Sequence, residues 1–243
     1  MTAIAIYSMK GGVGKSSTAV ALAWCSAARG SRRTLLWDLD PQGAASFMLG
    51  HEPHRRDHAQ GIVAGSVDPA AVIQPTTVPN LDLLAADISL RGVDRLLFDI
   101  GKRKHLGKIL QRVRNGYDRV IIDCPPGLTP TAEQILRNAD LVIVPSIPSP
   151  LSQNALRDVQ HFLKASGRRH APMLPIYTMV DRRRVIHNAA LQEKPRWPVI
   201  PMSSDVERMS LFGRAVGDFA PRSPAALAYA KLWRAIEKKI ASL

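Results

Sequence analysis

SMKGGVGKSS, residues Ser8 to Ser17, follows the apolar run AIAIYS (Ala3–Ser8) and leads into the alanine-rich segment Ser16–Arg29. A phosphate-binding loop needs a strand before it, a helix after it and the pattern G-x-x-x-x-G-K-[ST]. Gly14, Lys15 and Ser16 supply the end of that pattern. Glycine lets the backbone curl, so that the N–H groups of Gly11, Gly12, Val13, Gly14 and Lys15 can wrap one phosphate. Lys15 should then reach the β- and γ-phosphates of a bound nucleotide. The Ser16 hydroxyl should hold Mg²⁺, with Ser17 next in the nucleotide-binding stretch. Two residues depart from the pattern. Met9 stands where the first glycine would fall, and a second lysine, Lys10, lies five residues before Lys15.

The segments around this loop predict an α/β fold. TLLWDLD (Thr34–Asp40), RVIIDCPP (Arg119–Pro126) and DLVIVPS (Asp140–Ser146) are near-continuous apolar runs like the first. Such runs suit parallel strands covered by helices on both faces. NLDLLAA (Asn80–Ala86), MLPIYTMV (Met173–Val180) and PVIPM (Pro198–Met202) are shorter strand candidates. Helical patterns cover Ser16–Arg29, Leu106–Arg114, Thr131–Asn138, Leu151–Ala165 and Pro224–Ile240, with Gly30 ending the first. Strands alternating with helices give a doubly wound, mostly parallel sheet. No linker or repeat interrupts it, so residues 1–243 read as one domain.

Composition narrows the partners. The chain carries 33 Lys/Arg and 20 Asp/Glu, a net charge of +13. Residues 151–243 hold 16 of the basic and 7 of the acidic side chains, so the positive excess sits late in the chain. That balance favours a polyanionic partner. Aromatic residues are only 5%, which argues against stacking on many bases. Cys25 and Cys124 form no CxxC pair and suit a reduced cytoplasm. No apolar stretch is long enough to span a membrane, and the start of the chain lacks the form of a signal peptide. His51, His54 and His58 lie in or beside a polar stretch without ligand spacing, and read as solvated loop histidines.

The loop K-G-G-V-G-K-S (Lys10–Ser16) resembles the deviant Walker A motif of the ParA/MinD family of P-loop ATPases. LLWDLDPQGAAS (Leu35–Ser46) is similar to the family's switch I signature, and YDRVIIDCPPGL (Tyr117–Leu128) to its Walker B and switch II. The likeness extends in order through Thr76–Asp94, Tyr177–Leu191 and Val199–Ala226. The resemblance implies an ATP-dependent homodimer in which Lys10 crosses to the partner's triphosphate. Two lysines on one triphosphate neutralise more of the charge that develops in phosphoryl transfer. It further implies that Asp40 positions the attacking water and sits near the metal, with Asp38 close by. Asp123 would reach the Mg²⁺ shell. Thr178, Pro201 and Met202 fall where the family contacts adenine.

The family's branches differ in what they bind. The small ParA-type branch, without an N-terminal helix-turn-helix, implies nonspecific DNA binding on the nucleoid, positioning of a cargo, and a ParB-like activator. Arg182, Arg184, Arg208, Arg214 and Arg222 are the DNA-contacting candidates, with Arg183 between the first two. The MinD-type branch would place Trp233, Ile236 and Ile240 of the closing segment on a membrane, though the same pattern suits an ordinary closing helix. An iron-cluster branch needs cysteines that meet across a dimer, and Cys25 and Cys124 are not so placed. A biosynthetic branch uses ATP to activate a small acid.

Overall fold

The structure, a computed structural model, describes residues 1–52, 58–100, 105–165 and 170–242. Part of the polar stretch His51–Asp57, including His54, lies outside the described residues.

Among the described residues eight strands build one sheet: β1 (Thr2–Ile6), β2 (Thr34–Asp38), β3 (Gln74–Pro75), β4 (Leu81–Leu84), β5 (Arg119–Asp123), β6 (Leu141–Ser146), β7 (Met173–Val180) and β8 (Val199–Pro201). Their order is β3-β4-β2-β5-β1-β6-β7-β8. All pairings are parallel except β3 with β4. The doubly wound expectation holds because alternate residues of each central strand find an apolar partner. Ala3, Ala5, Leu35, Trp37, Val120, Ile122, Val142 and Val144 face one core, which the helices His105–Val113 and Pro130–Asn138 close. Ile4, Ile6, Leu36, Ile121, Leu141 and Ile143 face the other, under the helix Lys15–Trp24 and the closing helix Pro224–Ile240. Burial on both faces explains why the strands read as unbroken apolar runs.

Three details differ from the sequence reading. The runs Thr34–Asp40 and Arg119–Pro126 leave the sheet earlier, at Asp38 and Asp123, where the chain turns into loops. β3 gave no sequence signal: it is two residues long and includes Pro75, which only an edge strand tolerates. Gly30 ends the first helix, but at φ −92 rather than left-handed. The last turn, Cys25–Arg29, widens into a π-turn whose closing bond runs from Gly30 N–H to Cys25 O at 3.0 Å. A Cβ on Gly30 would lie 2.7 Å from Ser26 O, so space, not handedness, selects glycine there.

The closing helix is part of the core. Tyr229, Leu232, Trp233 and Ile236 are buried, and Ile240 packs against the same cluster. Arg119 clamps the helix to β5 through two bonds to Glu237, at 2.8 and 3.0 Å. The apolar face that a membrane would take is therefore occupied. Among the described residues no helix is long and apolar enough to cross a membrane.

Gly217 shows how tightly this side is packed. A Cβ there would lie 2.3 Å from the Trp24 ring. Gly217→Ala is expected to cost about 1–3 kcal/mol through overpacking, read as a lower urea midpoint with an unchanged m-value.

Candidate nucleotide site

Parallel register brings three loops to one edge of the sheet. Ile6 of β1 and Asp38 of β2 both lie opposite Asp123, the last residue of β5. The chain leaving each strand therefore enters the same space: Ser8–Ser17 after β1, Leu39–Ser46 after β2, and Cys124–Leu128 after β5. A doubly wound sheet offers its ligand site at this carboxyl edge.

The glycine loop curls as its composition demands. Gly12 and Gly14 sit at φ +70 and +81, a region closed to most side chains. Gly14 then caps the helix Lys15–Trp24, whose first N–H groups point at the loop. Lys15 is 6% exposed, and its ammonium folds back to donate to Lys10 O at 3.2 Å. Lys10 remains half-buried at the rim, beside exposed Gly11 and Gly12. Ser16 and Ser17 are half-buried at the start of the helix.

Asp123 is fully buried, and neither carboxylate oxygen has a hydrogen-bond partner among the described residues. Burial, and next the charge of Asp38, push its pKa well above the usual carboxylate range. The nearby Ser16 hydroxyl and the Lys15 ammonium pull the other way. Buried polar atoms are normally satisfied, so two orphaned oxygens beside a hydroxyl fit a cation seat. Among the described residues no three or more His, Cys, Asp or Glu side chains gather into a metal cluster. Mg²⁺ does not need one, because water and phosphate oxygens complete its shell. The residues present therefore fit Mg²⁺ delivered with a phosphate ligand.

Asp40 is 7% exposed, and its Oδ1 accepts from Gln42 N–H at 3.0 Å. Asp38 lies deeper, and burial pushes its pKa up to about 6 against the donors that Ser46 and the Asp40 N–H supply. On the other side, the Tyr7 hydroxyl donates to Gly127 O at 2.9 Å, tying the β5 loop to β1. The sequence reading passed over Tyr7, which looks like one more apolar strand residue.

Thr178, Pro201 and Met202 do share one cleft with Gly14 and Ser17. A bulge in β7 makes the junction: Met179 takes φ +53, and the Thr178 hydroxyl donates to Val13 O at 2.8 Å. Met179 and Tyr229 also line this cleft and were not foreseen. The Tyr229 hydroxyl meets Thr18 Oγ1 at 3.3 Å, so the closing helix steadies the helix that carries the loop. No local pattern marks either residue, since each arrives from a distant element.

The arginine candidates are exposed but unequal. Arg183 is bound to Asp181 through two bonds and holds that carboxyl down to about 2. Arg208 pairs with Asp205 at 3.4 Å, and Arg214 with Asp218 at 2.6 Å. Arg182, Arg184 and Arg222 make no ion pair among the described residues. Cys25 and Cys124 are both buried, with Cys25 raised to about 12 by burial. His51 Nδ1 meets Gln74 Oε1 at 3.1 Å, and His58 begins the helix His58–Ala64.

The profile of an AAA domain matches residues 1–176. The sporulation initiation inhibitor protein Soj of Bacillus subtilis is 34% identical, covering 94% of this chain and 95% of its own. The chromosome partitioning protein ParA of Caulobacter vibrioides is 32% identical, covering 96% of this chain and 92% of its own. The chain belongs to the ParA/MinD family of P-loop ATPases. Among solved structures, cobyrinic acid a,c-diamide synthase of Mycobacterium smegmatis, with a bound ATP analogue and magnesium, superposes at a TM-score of 0.81. It is 27% identical, covering 98% of this chain and 94% of that one. The ParA-type loop, with a lysine at each end, is thus set on the family's fold.

The orphaned Asp123 gives a test of this geometry. A carboxyl whose folded pKa is raised binds its proton more tightly folded than unfolded. The contribution of this group to stability is therefore fully present below the unfolded carboxyl value and is lost as pH rises above it. Asp123→Asn is expected to raise the urea midpoint of the nucleotide-free, metal-free protein at pH 8. The gain should shrink as pH falls toward 4.

Proposed function

We propose that this ParA-type ATPase, working as one domain over residues 1–243, closes an ATP-dependent homodimer. The closed dimer binds DNA without sequence preference and positions a cargo in the cytoplasm on the nucleoid. The observation that supports this most is the split between the two loop lysines. Lys15 is buried over its own loop, whereas Lys10 stays at the rim. A rim lysine cannot add much to a site already served by Lys15, but it can reach a phosphate presented by a second copy. Exposed apolar side chains support the same reading: Leu128, Leu151, Val185 and Ile186 lie in segments that leave the carboxyl ends of β5, β6 and β7. A partner seated there would cover them.

In this reading Gly11 to Ser17 hold the triphosphate, and Thr178, Pro201 and Met202 border the adenine. Ser16 and Asp123, with Asp40 nearby, hold Mg²⁺. A Mg²⁺ ion held there would neutralise charge on the phosphates. Asp40 orients the attacking water, and Lys10 and Lys15 stabilise charge that develops on the phosphoryl oxygens. Pairing two copies doubles the basic surface carrying Arg182, Arg184, Arg208, Arg214 and Arg222. Affinity for DNA then steepens, as does its dependence on salt. A ParB-like activator that speeds hydrolysis would release the dimer.

A second reading, an ATP-using biosynthetic enzyme, draws on the likeness to cobyrinic acid a,c-diamide synthase. Steady turnover that requires a small acid and ignores DNA would identify it. The membrane reading loses its support, because Trp233 and Ile236 are in the core.

The test is a DNA gel shift with ATP, ADP and no nucleotide at two salt concentrations, together with light scattering. Binding should require ATP, appear with dimer mass and weaken sharply at the higher salt. Lys10→Ala should keep ATP binding and lower turnover about a hundredfold or more. Normal turnover in that variant would rule out a lysine supplied in trans. Asp40→Ala should hold the dimer on DNA, and a monomer under saturating ATP would contradict that role.

A further inference from the structure

Ser46 is fully buried at the end of the loop that carries Asp40. Its hydroxyl donates to Asp38 Oδ2 at 2.7 Å, and its backbone N–H donates to the same oxygen at 2.9 Å. The hydroxyl oxygen also accepts from Ala86 N–H, just beyond β4, at 3.0 Å. Asp38 Oδ1 meanwhile accepts from Asp40 N–H at 3.2 Å. One buried carboxylate thus grips the loop at its exit and at its return, and Ser46 pins that return to the neighbouring strand. Between these points the loop folds on itself, with Asp40 O accepting from Gly43 N–H at 2.9 Å.

We propose that Ser46 is a positioning residue for ATP hydrolysis: through Asp38 it holds the Asp40 loop in the geometry that turnover needs. The inference rests on the ATPase reading above. An alanine at position 46 would remove one donor from Asp38 and leave the Ala86 N–H without its partner in a buried setting. A buried polar group that loses its partner seeks another, and the loop shifts to provide one. Of the bonds to Asp38 at the loop's return, only that from the Ser46 N–H would remain. Misplacing a reacting group by about an ångström costs roughly a hundredfold in rate. Nucleotide binding should be spared, because the bonds that shape Gly11–Ser17 and the Thr178 cleft, Lys15 to Lys10 O and Thr178 to Val13 O, do not involve Ser46. The expected signature is therefore a fall in kcat with KM for ATP unchanged.

The experiment measures Mg²⁺-dependent ATPase activity of the full chain with saturating DNA, and ATP affinity with a fluorescent non-hydrolysable analogue. Ser46→Ala should lower kcat about tenfold to a hundredfold with analogue affinity within twofold of the parent. Ser46→Thr, which keeps the hydroxyl, should restore most of the rate. Ser46→Cys fills the same volume with a weak donor and should give an intermediate rate, which keeps the test open if the alanine variant folds poorly. In an Asp40→Ala background, Ser46→Ala should have no further effect, because the two act as one unit. Independent, multiplying effects would overturn the proposal. So would an unchanged kcat in Ser46→Ala, or a loss of affinity that parallels the loss of rate. A parent protein that fails to hydrolyse ATP would instead remove the ATPase reading, and this inference with it.

Discussion

The structure turns on a carboxylate that its own fold leaves unsatisfied. Asp123 is placed by register, opposite Ile6 on one side and Asp38 on the other, at the end of a strand buried on both faces. Nothing in the protein satisfies its two oxygens among the described residues. The neighbouring buried carboxylates do have donors: Asp38 has three, and Asp40 has the Gln42 N–H. A doubly wound sheet spends both faces on apolar burial, so polar chemistry is confined to the strand ends. There an uncompensated buried charge is stable only as a proton carrier or as a seat for a cation. Lys15 and Ser16 stand beside it, which sets the polarity of the whole site.

The main architecture was legible because each part has a local cause. Unbroken apolar runs named β1, β2, β5 and β6, and glycine spacing named the loop and the helix it opens. Gly12 and Gly14 take the left-handed backbone that the spacing anticipates. Long-range closures were not legible. Tyr7 reads as core, yet it fastens Gly127; Tyr229 reads as a closing-helix residue, yet it meets Thr18 across the helix interface. Met179 adopts φ +53 only because β7 bulges to bring Thr178 onto Val13. Such contacts join positions more than a hundred residues apart, so no window of sequence contains them. β3 failed for the opposite reason: two residues are too few to carry a pattern.

The same limits bear on the choice among branches. The closing helix has the apolar stripe of a membrane-surface helix, and sequence periodicity cannot distinguish a stripe that meets lipid from one that meets a core. Burial of Leu232, Trp233 and Ile236, with Glu237 held by Arg119, gives this stripe to the core. Charge divides more finely than composition does. Arg183, Arg208 and Arg214 each have a carboxylate within reach, so part of the late positive excess is neutralised locally. Arg182, Arg184 and Arg222 have no such carboxylate partner among the described residues.

The two sides of the site are restrained in different ways, and that difference suits a switch. After Cys124, whose N–H donates to Ile6 O at 3.2 Å, the β5 loop is tied to β1 by a neutral bond from Tyr7 to the carbonyl of Gly127, at a glycine with φ +84. A single neutral hydrogen bond contributes about 1 kcal/mol, and glycine gives little resistance to a change of backbone. The β2 loop is tied by several bonds to one buried carboxylate, and charge-assisted bonds are about twice as strong. The Asp40 side is therefore built to be stiff and the Gly127 side to be movable. A stiff β2 loop keeps Asp40 in one place, whereas a loop hinged at a glycine can change its backbone at little cost.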